Sequence, residues 1–386
     1  MEFGDYTRTY RDVQKQCNIL VLIGNGFDIQ VLSDLNSSTD TRYVSFYHFL
    51  KMRNFNSSNC IFKVMEELKE RGKDNWSDIE NAIEKLIESQ SDGTASANYL
   101  FVEYIIKALS EIQGEFAEFL NQVVTPSKLT KLGDMVKANE LSLTSFVDFL
   151  GDLPEKEYAS TKLLSKIMHG TLFNFHFINF NYTFLFDDFI YLDQAQFNPH
   201  PHSMSDRHIY FHPNPRDYGQ RHGNYRTNAS SYLVTNAPLH PHGVQTIPRS
   251  LLFGIDTENN VNKLAKPYWA QNDVKYASLI EATDCFIIFG TSLGKSDRWW
   301  WKSIIDRMAK ADVDVLLYWR VRKENDLLHR DVRKKFAEAA GYEYSIDIEE
   351  MLEESVRVIL YDDNTPRAWL NTNISNIPQW RSPMHF

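Results

Sequence analysis

Four short stretches of this chain carry the residue types that hold phosphates and sugars or move protons. The first is "GNGFD", in which Gly24, Asn25, Gly26, Phe27 and Asp28 follow the apolar run "ILVLI". A Gly-x-Gly turn behind a strand bares backbone N–H groups and lets a pyrophosphate approach a helix N-terminus. Ile29 stands where a dinucleotide fingerprint wants its third glycine, and no acidic residue marks the end of a second strand. A hydride-transfer site is therefore not supported. Asp28 would repel a phosphate, so it accepts from a ribose hydroxyl or caps the helix. An ordinary tight turn is the structural alternative.

The second stretch is "NFNYT", ending in Asn181, Tyr182 and Thr183. An asparagine at a strand end donates and accepts at once, which suits it to orient a sugar hydroxyl or a water. An Asx turn would use the same residues structurally. Third comes "HPHG", with His242 beside Gly243. Such a histidine is placed to act as a general base near neutral pH, or it is a surface residue of a proline-containing loop. The fourth, "FGTSLGKSD", offers Gly290, Thr291, Ser292 and Asp297. Its amides and hydroxyls suit a ribose or phosphate, unless Thr291 and Ser292 only cap the helix that "DRWWWKSII" predicts. Glu80, in "NWSDIE", is a candidate second carboxylate for the same pocket.

These residues need a frame. Apolar runs at 19–23, 173–180, 250–255, 285–290, 313–319 and 355–361 predict six strands, with helical patterns between several of them. That alternation favours an α/β, Rossmann-like and mostly parallel sheet. Ligands of such sheets bind outside the carboxyl ends of the strands, where all four stretches would converge. More than a hundred residues between the first two strands read as helices, among them "NWSDIENAIEKLIESQ" and "ANYLFVEYIIKALSEIQGEFAEFLNQVV". The expected organisation is a nucleotide-binding domain from 1–60 and 170–325, a large helical insertion at 61–169, and a C-terminal extension at 326–386 with a strand and a helix packed on the sheet. Residues 194–238, rich in His, Pro, Asn and Ser, read as irregular.

With 386 residues, 43% of them hydrophobic, the chain can bury a substantial core. A net charge of −10 disfavours direct binding to a nucleic-acid backbone. The three cysteines, Cys17, Cys60 and Cys285, form no CxxC pair and suit a reducing interior. No apolar run approaches the roughly 18 residues of a membrane helix, and the N-terminus lacks a signal-peptide core. A cytoplasmic protein without a membrane partner is expected.

Taken in order, "IGNGFD", "NWSDIE", "FNYT", "HG" and "G-x-SL-x-x-x-D" resemble the AbiH family of bacteriophage abortive-infection proteins, over roughly residues 18–310. The same stretches are similar to a distant sirtuin-type NAD fold. That resemblance implies a cofactor turn at Gly24, Gly26 and Asp28, a ribose-side asparagine at Asn181, a base at His242, and an adenosine-side turn at Gly290, Thr291 and Ser292. The chain departs from sirtuin deacylases in lacking their four-cysteine zinc module and in placing Thr183 where an aspartate is usual. The resemblance thus implies an antiphage effector that binds NAD and cleaves its nicotinamide–ribose bond with Asn181 and His242, to which the residues themselves add Glu80 as a third catalytic candidate.

Two other functions fit the residues. One is a sensor that binds NAD or ADP-ribose without turnover. The other is a metal-dependent hydrolase or nuclease, since His200, His202, His208, His212, His222, His240 and His242 crowd one region, although no HExxH motif accompanies them. The partners expected are a small-molecule nucleotide and a phage-derived or protein trigger, and the sequence leaves a homo-oligomer open.

Overall fold

The computed structural model describes the chain except for residues 10, 12, 90–94, 169, 198–230, 257–261, 322–327 and 379–386. Six strands form one sheet: β1 (Lys15–Ile23), β2 (Thr171–Asn179), β3 (Ser231–Thr235), β4 (Cys285–Phe289), β5 (Asp314–Arg320) and β6 (Val356–Tyr361). Their order is β3-β2-β1-β4-β5-β6, and every pairing is parallel. This is the doubly wound order, in which strand succession reverses direction between β1 and β4.

The strands are apolar on both sides because both faces are covered. Ile19, Val21 and Ile23 of β1 join one hydrophobic cluster, with Cys285, Ile287 and Phe289 of β4. Leu20 and Leu22 join the opposite cluster, with Phe286 and Ile288. The first face is roofed by α1 (Gly26–Asp34), α2 (Tyr43–Met52), α3 (Cys60–Glu70), α4 (Ile79–Glu88), α5 (Ala95–Val123) and α6 (Pro126–Asn139), with the helix Leu185–Phe197. The second face is covered by Ala277–Glu281, Arg298–Met308, His329–Ala340 and Ile346–Ser355. Ile105, Ile112 and Phe116 of α5 share one continuous core with the sheet, so the inserted helices form a layer on it.

One predicted strand is corrected. Residues 250–255 alternate buried and less buried side chains, yet make only an isolated bridge between Ile255 and Ala265. Their backbone is satisfied elsewhere. Leu251 O accepts from Gln113 Nε2 at 2.6 Å, Leu252 O from the Tyr182 hydroxyl at 3.0 Å, and Leu252 N donates to His242 O at 2.8 Å. The sheet's third strand is instead "SYLVT", Ser231–Thr235, inside the stretch expected to be irregular. The C-terminal region supplies two helices and β6, which extends the sheet beside β5.

Glycine is required where β1 and β4 end. Gly290 has φ +69°, and a Cβ there would lie 2.8 Å from Phe27 N and 2.9 Å from Gly24 O, both backbone atoms. Gly290→Ala is expected to lower unfolding free energy by about 1–3 kcal/mol. Gly114→Ala, on α5 with nothing within 4 Å of the new Cβ, should raise it by about 0.5–1 kcal/mol. Urea denaturation of the two variants checks both signs.

Candidate functional site

The reversal point between β1 and β4 is built by two turns that touch through bare backbone. Gly24 N donates to Phe289 O at 2.9 Å and Gly26 N to Gly290 O at 2.8 Å, while Phe27 N returns to Gly24 O at 3.1 Å. A Cβ on Gly24 would stand 2.6 Å from Gly290 O, and one on Gly26 would stand 2.7 Å from Gly290 Cα. The two glycines of "GNGFD" are thus small so that the β4 turn can seat against them. The N–H groups of Gly24, Gly26 and Phe27 are committed within the protein. Between these glycines, Asn25 turns its side chain to Thr41, whose hydroxyl donates to Asn25 Oδ1.

Behind the turns lies a buried hydrogen-bond set. Asp28, 1% exposed, accepts from Asn181 Nδ2 at 2.9 Å and from the Thr183 hydroxyl at 2.6 Å. Asn181 Nδ2 also reaches Gly24 O at 3.2 Å, tying the β2 end to the β1 end. Asn181 N donates to Asn179 Oδ1 at 3.1 Å, so the strand end is an Asx turn as well. The main chain of the same loop engages His240, whose Nδ1 lies 3.1 Å from Asn181 O and whose Nε2 lies 3.1 Å from both Asp187 carboxylate oxygens. Burial pushes the Asp28 carboxyl up to about 7, against the donors Thr183 and Asn181 and with the charge of Asp187. On His240, burial works downward, but the Asp187 carboxylate outweighs it and the imidazole ends above its ordinary value.

A second set is ionic and joins four separate segments. His242 is 5% exposed, its ring stacked on Phe180 with centroids 5.1 Å apart, and its Nε2 lies 3.1 Å from Asp297 Oδ1. The same carboxylate oxygen is 3.6 Å from Lys266 Nζ, which also forms a close ion pair with Glu80 Oε1. Glu80 sits in the first turn of α4, where the Asp78 carboxylate caps the helix by accepting from Glu80 N at 2.9 Å. Lys266, 4% exposed, begins the short helix Lys266–Ala270. Burial alone would strip its proton, but the Asp297 and Glu80 carboxylates hold the ammonium above the usual lysine range. Burial likewise opposes the Asp297 anion, and Lys266 with His242 keeps that carboxyl well below the usual carboxylate range. Tyr182 closes the set: its ring lies 6.2 Å from that of His242, and burial raises its hydroxyl well above the ordinary tyrosine value.

A family model described as bacteriophage abortive infection AbiH matches residues 20–319. The chain belongs to the AbiH family. No curated protein matches it. Membership places the chain in phage abortive-infection defence. The matched span runs from β1 to the next-to-last residue of β5, so it contains both polar sets, and β6 follows it.

Within this AbiH chain, most of the site residues expected from sequence are gathered at the carboxyl edge of the sheet. Gly24, Gly26 and Gly290 touch, with Thr291 Cα 2.8 Å from the Cβ position of Gly24. Asn181, Thr183 and Asp28 form the hydrogen-bonded set, and Glu80, His242 and Asp297 belong to the ionic one. Phe27 is in the core, its ring edge-on to Phe186 and Phe189. Gly243 has φ +84° and lies against Ser250, so it shapes the histidine loop. Ser292 is exposed, and neither it nor Thr291 caps the following helix, which starts at Arg298 after Asp297.

Lys266 and Asp187 are not singled out by the sequence, and His240 enters there only as one of the histidines of a metal site. For Lys266 the available signal was a lysine pinned before a proline between apolar neighbours, in "LAKPYW". The histidines from 200 to 222 lie outside the described residues, and among the described residues no cluster of three His, Cys, Asp or Glu is placed to hold a metal. No described helix is long and apolar enough to cross a membrane. A cavity of about 430 Å³, lined by Lys156, Ser160, Lys162 and Arg357 among others, opens near the amino-terminal end of β6, away from these sets.

Two measurements follow from the burial of these charges. Lys266→Met leaves two carboxylates facing each other's field and should cost about 3–5 kcal/mol of stability, while adding Glu80→Leu should restore a large part of it. Denaturant titration of the single and double variants decides. Asp28 binds its proton more tightly folded than at its ordinary 3.8. Its contribution to stability is therefore full below about pH 4 and is lost as the pH rises through about 7. The stability of wild type relative to Asp28→Asn should fall across that window, by at most about 1.4 kcal/mol per pH unit.

Proposed function

We propose that this chain is an abortive-infection effector that binds NAD at the carboxyl edge between β1 and β4 and hydrolyses its nicotinamide–ribose bond. The observation that carries the reading is the convergence of Asn181 and the His242–Asp297 pair on the point where strand order reverses. In doubly wound sheets that point is where dinucleotides are held.

Breaking the bond between ribose C1′ and the nicotinamide nitrogen builds positive charge on the sugar, as in glycoside hydrolysis. The leaving nitrogen keeps the electron pair and loses its positive charge. Water supplies the new C1′–O bond and must lose a proton. His242 is the residue to accept it: its Nε2 lies 3.1 Å from Asp297 Oδ1, which leaves Nδ1 as the ring nitrogen for the proton. Asn181 is held by Asp28 and Gly24 through its Nδ2, and its side-chain oxygen Oδ1 is the atom to orient a hydroxyl or the water. Glu80 belongs to the set through Lys266.

One observation favours the second reading, an NAD- or ADP-ribose-binding sensor without turnover. His242, Lys266 and Asn181 are each about 5% exposed or less, so the resting chain keeps its chemistry covered. Ligand binding would then act by shifting the covering elements between two arrangements.

Purified full-length chain incubated with NAD should release nicotinamide and ADP-ribose, followed by chromatography. His242→Ala and Asn181→Ala, verified as folded by thermal melting, should lower the rate by about 10²–10⁴. Rates unchanged in both variants reject the assignment, and saturable binding with intact NAD recovered selects the sensor.

A further inference from the structure

The ionic set has a charge balance that bears on the base. Buried Lys266 faces two partly buried carboxylates, Asp297 and Glu80, whose side chains are 17% and 14% exposed. One cation against two anions leaves the set one negative charge in excess while His242 is neutral. A proton on His242 cancels that excess. Carboxylate, ammonium and imidazole are also linked in series: Glu80 to Lys266, Lys266 to Asp297 Oδ1 at 3.6 Å, and Asp297 Oδ1 to His242 Nε2 at 3.1 Å. With Nε2 facing the Asp297 carboxylate at 3.1 Å, the contact favours a proton on Nε2, which would leave the lone pair on Nδ1.

We propose that Asp297, Lys266 and Glu80 are positioning residues that fix His242 as the Nε2–H tautomer and tune how readily its Nδ1 takes a proton, with the inserted helix α4 contributing to that tuning through Glu80. This rests on the reading of His242 as the base and deepens it. The groups facing His242 are few and come from every packed element. Asp297 precedes the Arg298–Met308 helix, Lys266 begins its own short helix, and Glu80 comes from α4. Tyr182 follows β2, with Tyr43 of α2 beside it, and the stacked ring is the uncharged Phe180. Asp78 adds a carboxylate next to Glu80 at the α4 cap. His240, two residues along, is engaged with Asp187 and Asn181.

Each member then has its own signature. Removing Lys266's charge leaves Asp297 a stronger anion and should move the His242 midpoint upward. Removing Glu80's charge leaves Lys266 free to act on Asp297 alone and should move it downward. A scaffold that only holds the ring in place gives no reason for opposite directions.

The test is a ¹⁵N and ¹³C histidine NMR titration of the full-length chain, with the His242 signals assigned by their loss in His242→Gln. Expected are an Nε2-protonated ring in the wild type, a midpoint raised by about one pH unit in Lys266→Met and lowered by about one unit in Glu80→Gln. Lys266→Arg, which keeps the charge, should titrate like the wild type. If Lys266→Met does not fold, Glu80→Gln and Lys266→Arg still decide between the outcomes. A proton on Nδ1, a midpoint unmoved in Glu80→Gln, or shifts of the same sign in both charge-removing variants overturns the proposal. None of these signals uses NAD. A wild type that releases no nicotinamide therefore counts against the enzymatic reading, while the tautomer and the opposed shifts are read separately.

Discussion

Two backbones meet side by side at the end of β1 and β4, and that approach sets the geometry of everything above the sheet. With Gly26 N on Gly290 O at 2.8 Å and Gly24 N on Phe289 O at 2.9 Å, the β4 turn is locked to the start of α1. Side chains at either glycine would push the turns apart by contacts below 3 Å with backbone atoms, which cannot swing away as the tip of a long side chain can. Once the turns are docked, Gly24 O is in reach of Asn181, and Asp28 points inward from α1 to take the Asn181 and Thr183 donors. The β2 end is thereby registered against the β1 end by side chains as well as by the sheet. The loop after β3 carries His240 and His242 to different partners, one onto Asp187 and the other onto Asp297.

Taking ionisable groups out of water is unfavourable unless each finds a counter-charge or hydrogen-bond donors. The carboxyl edge meets this condition by division. Asp28 has neutral donors and a raised proton affinity, so it is a hydrogen-bonding anchor that can be held in either protonation state near neutral pH. Asp297 has an ammonium and an imidazole and stays anionic. Neighbouring carboxylates driven in opposite directions by their surroundings are what divides labour between holding and proton transfer in a site. In the proposed reaction the holding side would fall to Asp28 with Asn181, and the proton side to Asp297 with His242.

The sequence made much of this frame legible, for a physical reason. Strands buried on both faces are mostly apolar, so β1, β2, β4, β5 and β6 stand out as runs such as "ILVLI" and "CFIIF", even with Asn174 and His176 inside β2 and Arg357 inside β6. β3 does not, since "SYLVT" is five residues long at the sheet edge, next to a polar tract. Residues 250–255 imitate a strand because Leu251 and Phe253 are pressed into the core under α5 and Tyr182 while the chain between them stays extended. At the candidate site, residue types in the turns could be read directly, and Asn181, His242 and Asp297 lie together at the carboxyl edge. Lys266 was hidden because a buried ion pair depends on partners far off in sequence, Glu80 and Asp297, and leaves no local pattern. The glycines were legible as special, but what they accommodate is another turn of the same chain, a fact that no single stretch can reveal.

The inserted helices also change how the edge of the sheet can be controlled. A long insertion on one face of a doubly wound sheet could have been a separate body, connected to the site by chain alone. Instead α5 shares the core of the sheet, and the first turn of α4 delivers Glu80 into the set that holds His242. Any displacement of α4 must either carry Lys266 with it or break the Glu80 pair, and the second event changes the field on Asp297. Because the Asp78 cap fixes the α4 N-terminus in the same place, the displacement would be taken up by the loops before Asp78 rather than by fraying of the helix. On the proposed tuning of His242, movement in the insertion and proton affinity at the sheet edge would be coupled through the Glu80–Lys266 ion pair, a physical route for a covered site to respond to an event on the helical layer.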